Sequence, residues 1–163
     1  MSESTPVVTC FVRSGTDVLL LRRSDEVGSY PGRWGAVAGH AEGDPDAAAR
    51  EEIAEETGLD GHVTLVRRGE PFPVADSEYA WRVHPYLFES DSRAVTTNYE
   101  TTEFEWASPT AILDRETVPD LWESYRRVAP TVETIREDRT HGSAALSVRA
   151  LEVLRDAAAG LAP

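Results

Sequence analysis

The segment from Asp44 to Leu59 constrains this chain more than any other. It carries a full set of helix signals and a density of carboxylates that an isolated helix would avoid. Asp44 is a good N-cap, Pro45 suits the first helical position and Asp46 puts an acid in the first turn. Ala47, Ala48 and Ala49 favour helix strongly, and Gly58, after the cap, accepts the left-handed conformation that ends it. Within this helix Glu52, Glu55 and Glu56 fall at i, i+3 and i+4, so their carboxylates share one face within one turn, and Glu51 adds an i, i+4 pair with Glu55. Each like-charge pair at these spacings costs a helix about 0.2–0.5 kcal/mol, a penalty that reverses when a hard divalent cation is bound between them. Mg²⁺ or Mn²⁺ is the natural occupant, with oxygen ligands shared among protein, water and substrate phosphates, and that points to phosphoryl chemistry. On spacing alone the alternative is an acidic face kept for solvation.

Composition gives that alternative weight. The 163 residues include 29 acidic and 16 basic side chains, for a net charge of −13, and every basic residue is Arg. Such a balance suits a protein adapted to concentrated salt, where repulsion is screened and carboxylates hold water. It argues against nonspecific binding to DNA, RNA or anionic lipid, and a phosphate ligand would need a metal ion or a local Arg cluster. A single cysteine, Cys10, within Val7-Val8-Thr9-Cys10-Phe11-Val12, rules out an intrachain disulfide and reads as a buried strand residue. The first residues lack a basic and apolar leader, and no stretch approaches the ~18 apolar residues that span a membrane, so a cytoplasmic protein is expected.

Residues 6–13 and 17–22 are β-branched and aliphatic runs joined by Ser14-Gly15-Thr16, the pattern of a hairpin. A loop rich in turn formers, 24–33, leads to a short strand, Trp34 to Ala38, ending at Gly39. Beyond the acidic helix, strand-like stretches lie at about 61–68, 79–89 and 103–107, and helical patterns at 110–114, 118–128, 131–136 and 142–158. This order predicts an α/β domain over 1–128 and a helical C-terminal extension over 129–163.

The string Glu52-Ile53-Ala54-Glu55-Glu56-Thr57-Gly58-Leu59 matches the last eight positions of the Nudix box, a loop–helix–loop motif written G-x5-E-x7-R-E-U-x-E-E-x-G-U with U aliphatic. Upstream, Leu19-Leu20-Leu21-Arg22-Arg23-Ser24 and Tyr30-Pro31-Gly32-Arg33-Trp34-Gly35-Ala36-Val37-Ala38-Gly39 are also similar to what precedes that box. The chain thus resembles the Nudix hydrolases over about residues 6–128. The resemblance implies a mixed sheet sandwiched between helices and hydrolysis of a diphosphate linkage in a nucleoside-diphosphate-type metabolite. It also implies Mg²⁺ (or Mn²⁺) held by Glu52, Glu55, Glu56 and a main-chain carbonyl at Ala38 or Gly39, Ala38 being assigned to the metal and Gly39 to the substrate. The base that takes the proton from water is Glu56 itself or a glutamate of the later loop, Glu100 or Glu103.

Two departures from the motif stand out. Measured back from Glu52, the segment from Gly39 is two residues short, and the motif's arginine position holds Glu51 while Arg50 sits one place early, about 100° around the helix. They motivate a second reading, a degenerate Nudix domain that binds a nucleotide or sugar phosphate and regulates a fused or associated enzyme. Arg23, at the end of an apolar strand, either grips substrate phosphate or pairs with a surface acid. Trp34, Tyr79, Trp81 and Tyr86 either stack on a base or pack in the core. The tail from Asp138 to Leu154 resembles the opening helices of the initiation-factor-two-B and ribose-bisphosphate isomerase superfamily. Its expected partner is a fused domain or a second copy, unless it is an amphipathic cap.

Overall fold

A computed structural model describes residues 3–161 as two compact units, one reaching Val128 and one beginning at Ala129. In the first unit β1 (Thr5–Ser14) turns into β2 (Asp17–Arg23) through Gly15, whose φ of 63° suits glycine. Hairpin pairing stops after Arg13↔Val18 and Ser14↔Asp17. From there the two strands take different neighbours. β1 runs parallel to β7 (Ala80–Ser90) from Thr5↔Trp81 to Arg13↔Glu89 and antiparallel to β4 (Val37–His40) on its other edge. β2 takes β8 (Thr101–Ala107) along its length and the two-residue β3 (Trp34–Gly35) at its end. β5 (Val63–Arg68) and β6 (Phe72–Ala75) complete the eight-stranded mixed sheet, both antiparallel to β7.

The expected single strand over 34–38 is in fact two. Trp34 and Gly35 pair with β2, whereas Val37 to His40 pair with β1, so the chain changes partner at Ala36. β6 is absent from the sequence reading because Phe72-Pro73-Val74-Ala75 is short and holds a proline, which a strand tolerates at an edge. The helix expected over 118–128 starts late, as α2 (Leu121–Arg126), since Pro119 and a left-handed Asp120 (φ 57°) precede it. Before it, Pro109–Asp114 form a 3₁₀ segment.

α1 (Pro45–Thr57) has the predicted ends. The Asp44 carboxylate accepts from the Asp46 amide at 3.0 Å, and Gly58, with φ 71°, donates its amide to the Ala54 carbonyl. Ala48, Ala49 and Ile53 pack onto Val8, Cys10, Val12, Leu19, Leu21, Val37, Tyr86 and Phe88 in the main core. Cys10 is fully buried, and burial holds its thiol well above the usual range.

The second unit is helical. α3 (Val132–Glu137) opens with a reciprocal Thr131–Thr134 capping box, and α4 (Ser143–Leu161) follows a turn in which Asp138 accepts from the Thr140 and His141 amides. Val148, Leu151 and Leu154 on α4 are exposed. Among the described residues no helix is long and apolar enough to cross a membrane.

The α1 N-terminus is fixed to the sheet through Asp46, which accepts from the Arg68 guanidinium at 2.9 Å and from the Tyr86 hydroxyl at 2.7 Å. Those bonds, Arg68 first, pull the Asp46 carboxyl down to about 2. Its stabilisation is therefore complete above the ordinary aspartate range and is lost as pH falls through about 2. Asp46→Asn should lower stability in urea by about 1 kcal/mol at neutral pH, a figure discounted for exposure to water, and the difference from the unmodified protein should close on acidification.

Candidate active site

β4 and α1 meet at close range, and the sequence requires it. A Cβ on Gly39 would lie 2.2 Å from Glu52 Cδ and 2.4 Å from Glu52 Oε1, so this position admits no side chain while Glu52 keeps its place. One residue earlier the Ala38 amide donates to Glu56 Oε2 at 3.2 Å. The two glutamates, one turn apart on α1, thus lie against consecutive residues of one strand. Placed one turn apart on one face, each acts on the other's charge.

Glu56 is only 5% exposed. Burial, then the neighbouring Glu52 carboxylate, pushes its carboxyl up to about 9. Burial also raises Glu52, which is less enclosed. Glu55 is exposed on the open side of the helix. Asn98 carries the later loop onto α1: its side-chain amide donates to the Glu55 carbonyl at 3.2 Å while its Oδ1 accepts from the Glu100 amide at 3.0 Å. The Glu100 carbonyl in turn accepts from the Ser24 amide at 2.7 Å.

A cavity of about 670 Å³ opens over this floor. Ala38, Gly39, Glu52, Glu55, Glu100 and Arg23 line it together, and Glu56 lies buried beneath Ala38. Arg23 donates from Nε and Nη2 to the Ser29 carbonyl and hydroxyl, at 2.8 and 3.2 Å, so it also anchors the 24–33 loop. Burial lowers its guanidinium from the ordinary value, and Glu56 and Glu100 oppose that shift. Glu103 does not join the lining. It stands across from Arg22 in the β2–β8 register and forms an exposed ion pair with it at 3.7 Å. The β2–β8 register shifts between Arg22 and Arg23, and of these residues Arg23 lines the cavity while Arg22 and Glu103 do not.

The aromatic candidates separate as well. Tyr79 and Trp81 line the cavity, whereas Trp34 lies under the Arg115 guanidinium at 4.6 Å and Tyr86 belongs to the main core. Tyr30, Tyr99 and Glu26 line it too, and sequence reasoning missed all three. Their positions in irregular loops carry no periodicity that would have pointed to them. Arg50, next to the motif's arginine position, turns to the Phe88 ring at 5.5 Å, and Glu51 is exposed.

The family model of the NUDIX domain matches residues 3–128. The chain belongs to the NUDIX family. The MutT protein of Methanosarcina mazei Go1 is similar in structure, with a TM-score of 0.62 at 25% identity over 76% of this chain and 91% of that one. An Ap4A hydrolase of C. elegans, solved as a binary complex, gives 0.64 at 16% over 76% and 93%. The NUDIX domain of Shewanella oneidensis NrtR, solved with ADP ribose, gives 0.62 at 14% over 78% and 87%. At those last two identities the likeness is one of fold. A search of curated proteins finds no significant sequence match.

The raised Glu56 has a measurable consequence in the metal-free NUDIX protein. A carboxyl that titrates higher folded than unfolded stabilises below the ordinary glutamate range, and that stabilisation drains away as pH rises toward about 9. Melting temperature in a chelator should therefore fall between about pH 5 and pH 9 in the unmodified protein and stay flatter in Glu56→Gln. Parallel curves would refute this assignment.

Proposed function

We propose that this NUDIX protein is a Mg²⁺- or Mn²⁺-dependent hydrolase that cleaves a diphosphate linkage in a nucleoside-diphosphate-type metabolite. The observation that carries the reading is the pair Glu52 and Glu56, forced together against Ala38 and Gly39 at the floor of a cavity large enough for such a ligand. Nudix hydrolases generally use divalent metal ions, and the donor set fits one. Two neighbouring carboxyls, one buried, form an unfavourable pair once both are charged, and a hard dication with oxygen preference relieves that. Among the described residues no three acidic or histidine side chains are already gathered as a preformed metal cluster. Glu52, Glu55 and Glu56 with the Ala38 carbonyl are the groups assigned to hold the ion. A bound dication supplies neutralisation of diphosphate charge and acidifies water.

The chain's own groups divide the remaining work. Glu56, high in its titration, is one candidate to accept the proton of the attacking water, and Glu100, brought over the cavity by Asn98, is the other. Glu103, engaged with Arg22 outside the lining, is the weaker candidate. Arg23 faces the cavity as a positive charge for substrate phosphate, held in orientation by Ser29. Gly39 lines the cavity and is assigned to the substrate through its backbone, its missing side chain leaving room for the Glu52 carboxylate.

A second reading has its own observation. Arg50 is committed to Phe88 and Glu51 occupies the motif's arginine position, so the support that this arginine gives the glutamates in the family pattern is missing here. A domain that binds a nucleotide or sugar phosphate without cleaving it, in a cytoplasmic and salt-rich setting, is the form that reading takes.

Phosphorus NMR of a pool of nucleoside triphosphates, dinucleoside polyphosphates, ADP-ribose and nucleotide sugars, in molar potassium chloride with Mg²⁺, separates the two. The hydrolase should remove one diphosphate signal, and Glu56→Gln should slow that by roughly 100-fold or more. An unchanged spectrum with saturable ligand binding would favour the second reading.

A further inference from the structure

The last helix is built inside out. In α4 the four charged residues, Arg149, Glu152, Arg155 and Asp156, are all buried or half-buried, and none of the described exposed residues carries a charge. Glu152 is only 4% exposed and pairs with Arg149, while Arg155 pairs with Asp156 at 2.9 Å. Leu151 and Leu154 are each 66% exposed, and Val148 is 40% exposed. In a chain with 28% charged residues and a net charge of −13, a surface helix ordinarily turns its carboxylates to water and its leucines inward.

The exposed residues also follow a repeat. Ala144, Ser147, Leu151, Leu154 and Ala158 are all exposed and succeed one another at steps of three, four, three and four, the a/d spacing of a two-stranded coiled-coil seam. Leucine holds the two central positions, and small residues at either end let a second helix approach closely. The flanking positions are Val148 and Arg155 on one side and Ala150 and Ala157 on the other, so no carboxylate occupies the seam or its borders. The surrounding unit offers these leucines no interior. α3 has no buried residue, and Glu152 is the one fully enclosed residue of α4 among those described. A unit of fewer than about 40 residues commonly depends on a cross-link or on association, and with Cys10 the only cysteine no disulfide supplies it.

The geometry points to a second copy of this chain as the partner, the two α4 helices pairing through Ala144, Ser147, Leu151, Leu154 and Ala158 about a two-fold axis. Charge favours a like partner here. Two copies at −13 repel each other, and a stripe without carboxylates is where that repulsion is least. The same net charge opposes an anionic membrane surface. An a/d face is self-complementary, because each row of leucines supplies the knobs that the other row's holes accept. From Ala144 to Ala158 the seam is about 21 Å long, short for a coiled coil, so the pair exchanges with monomer in the micromolar range. This inference is independent of the hydrolase reading.

Sedimentation velocity of the full chain over a series of protein concentrations, in low and in molar KCl, reads the association. The expected result is a reversible monomer–dimer equilibrium whose Kd falls by about tenfold or more from low to molar salt, because screening removes the repulsion between copies. Leu151→Gln combined with Leu154→Gln, at exposed positions and with a residue that favours helix, should raise Kd by about 30-fold or more, while Val132→Gln on α3 leaves it unchanged. Because Cys10 is fully buried, introduced cysteines report the contact even where the glutamine variant loses helix. Under mild oxidation Leu151→Cys and Leu154→Cys should cross-link about tenfold or more faster than Val132→Cys, each with itself in a parallel pair and with one another in an antiparallel one. A monomer at every concentration and salt level overturns the proposal and leaves the stripe to a partner of another sequence. A dimer that survives the double glutamine variant, or seam cysteines that cross-link no faster than Val132→Cys, puts the interface elsewhere and overturns it as well.

Discussion

The close approach of α1 to β4 is the contact on which the rest of the site depends. Burying a carboxyl as fully as Glu56 is unfavourable unless a hydrogen bond, a proton or a cation compensates, and here the Ala38 amide donates to it while burial favours its protonated form. Gly39, without a side chain, leaves room for the Glu52 carboxylate, and Ala48, Ala49 and Ile53 pack the same helix into the core. The core packing of small residues and the chemistry of large acidic ones are therefore two faces of the same helix.

Much of this was legible in the sequence, and for identifiable reasons. The ends of α1 are written in short-range chemistry, Asp44 and Pro45 at one end and Gly58 at the other, and local signals of that kind survive folding unchanged. The hairpin of β1 and β2 was legible on the same grounds. The division of residues 34–40 between two neighbouring strands was not, because the change of partner at Ala36 is decided by β1 and β2 and leaves no trace in the periodicity of the segment itself. β6 escaped because a four-residue strand with a proline offers too few alternations to count.

At the site, the glutamates of α1 were visible through their spacing, and Arg23 through its place at the end of an apolar strand. Glu100 and Glu103 looked equivalent in sequence, yet the loop held by Asn98 sends one over the cavity and the strand register sends the other to Arg22. The contribution of Tyr30 was hidden for a different reason. It depends on partners far along the chain, Asp76 and Trp81, that meet only in three dimensions. Arginine, the sole basic residue type in the chain, recurs in pairing roles that suit its planar guanidinium, with Asp46, with Ser29 and over aromatic rings.

The parallel pairing of β1 with β7 sets the order in which these parts can come together. Arg13 and Glu89, linked across that pair, are 76 residues apart in the chain, while β4 and α1 are neighbours in sequence. Contacts of long sequence separation form late because the intervening loop must close first. The hairpin, β4 and the acidic helix are local in sequence, whereas one edge of the first strand is paired by residues beyond 80. A cavity lined by Arg23, Ala38 and Gly39 from one part of the sequence and by Trp81 and Glu100 from another exists only when both are in place, which makes ligand affinity a report on the long-range pairing of β1 with β7.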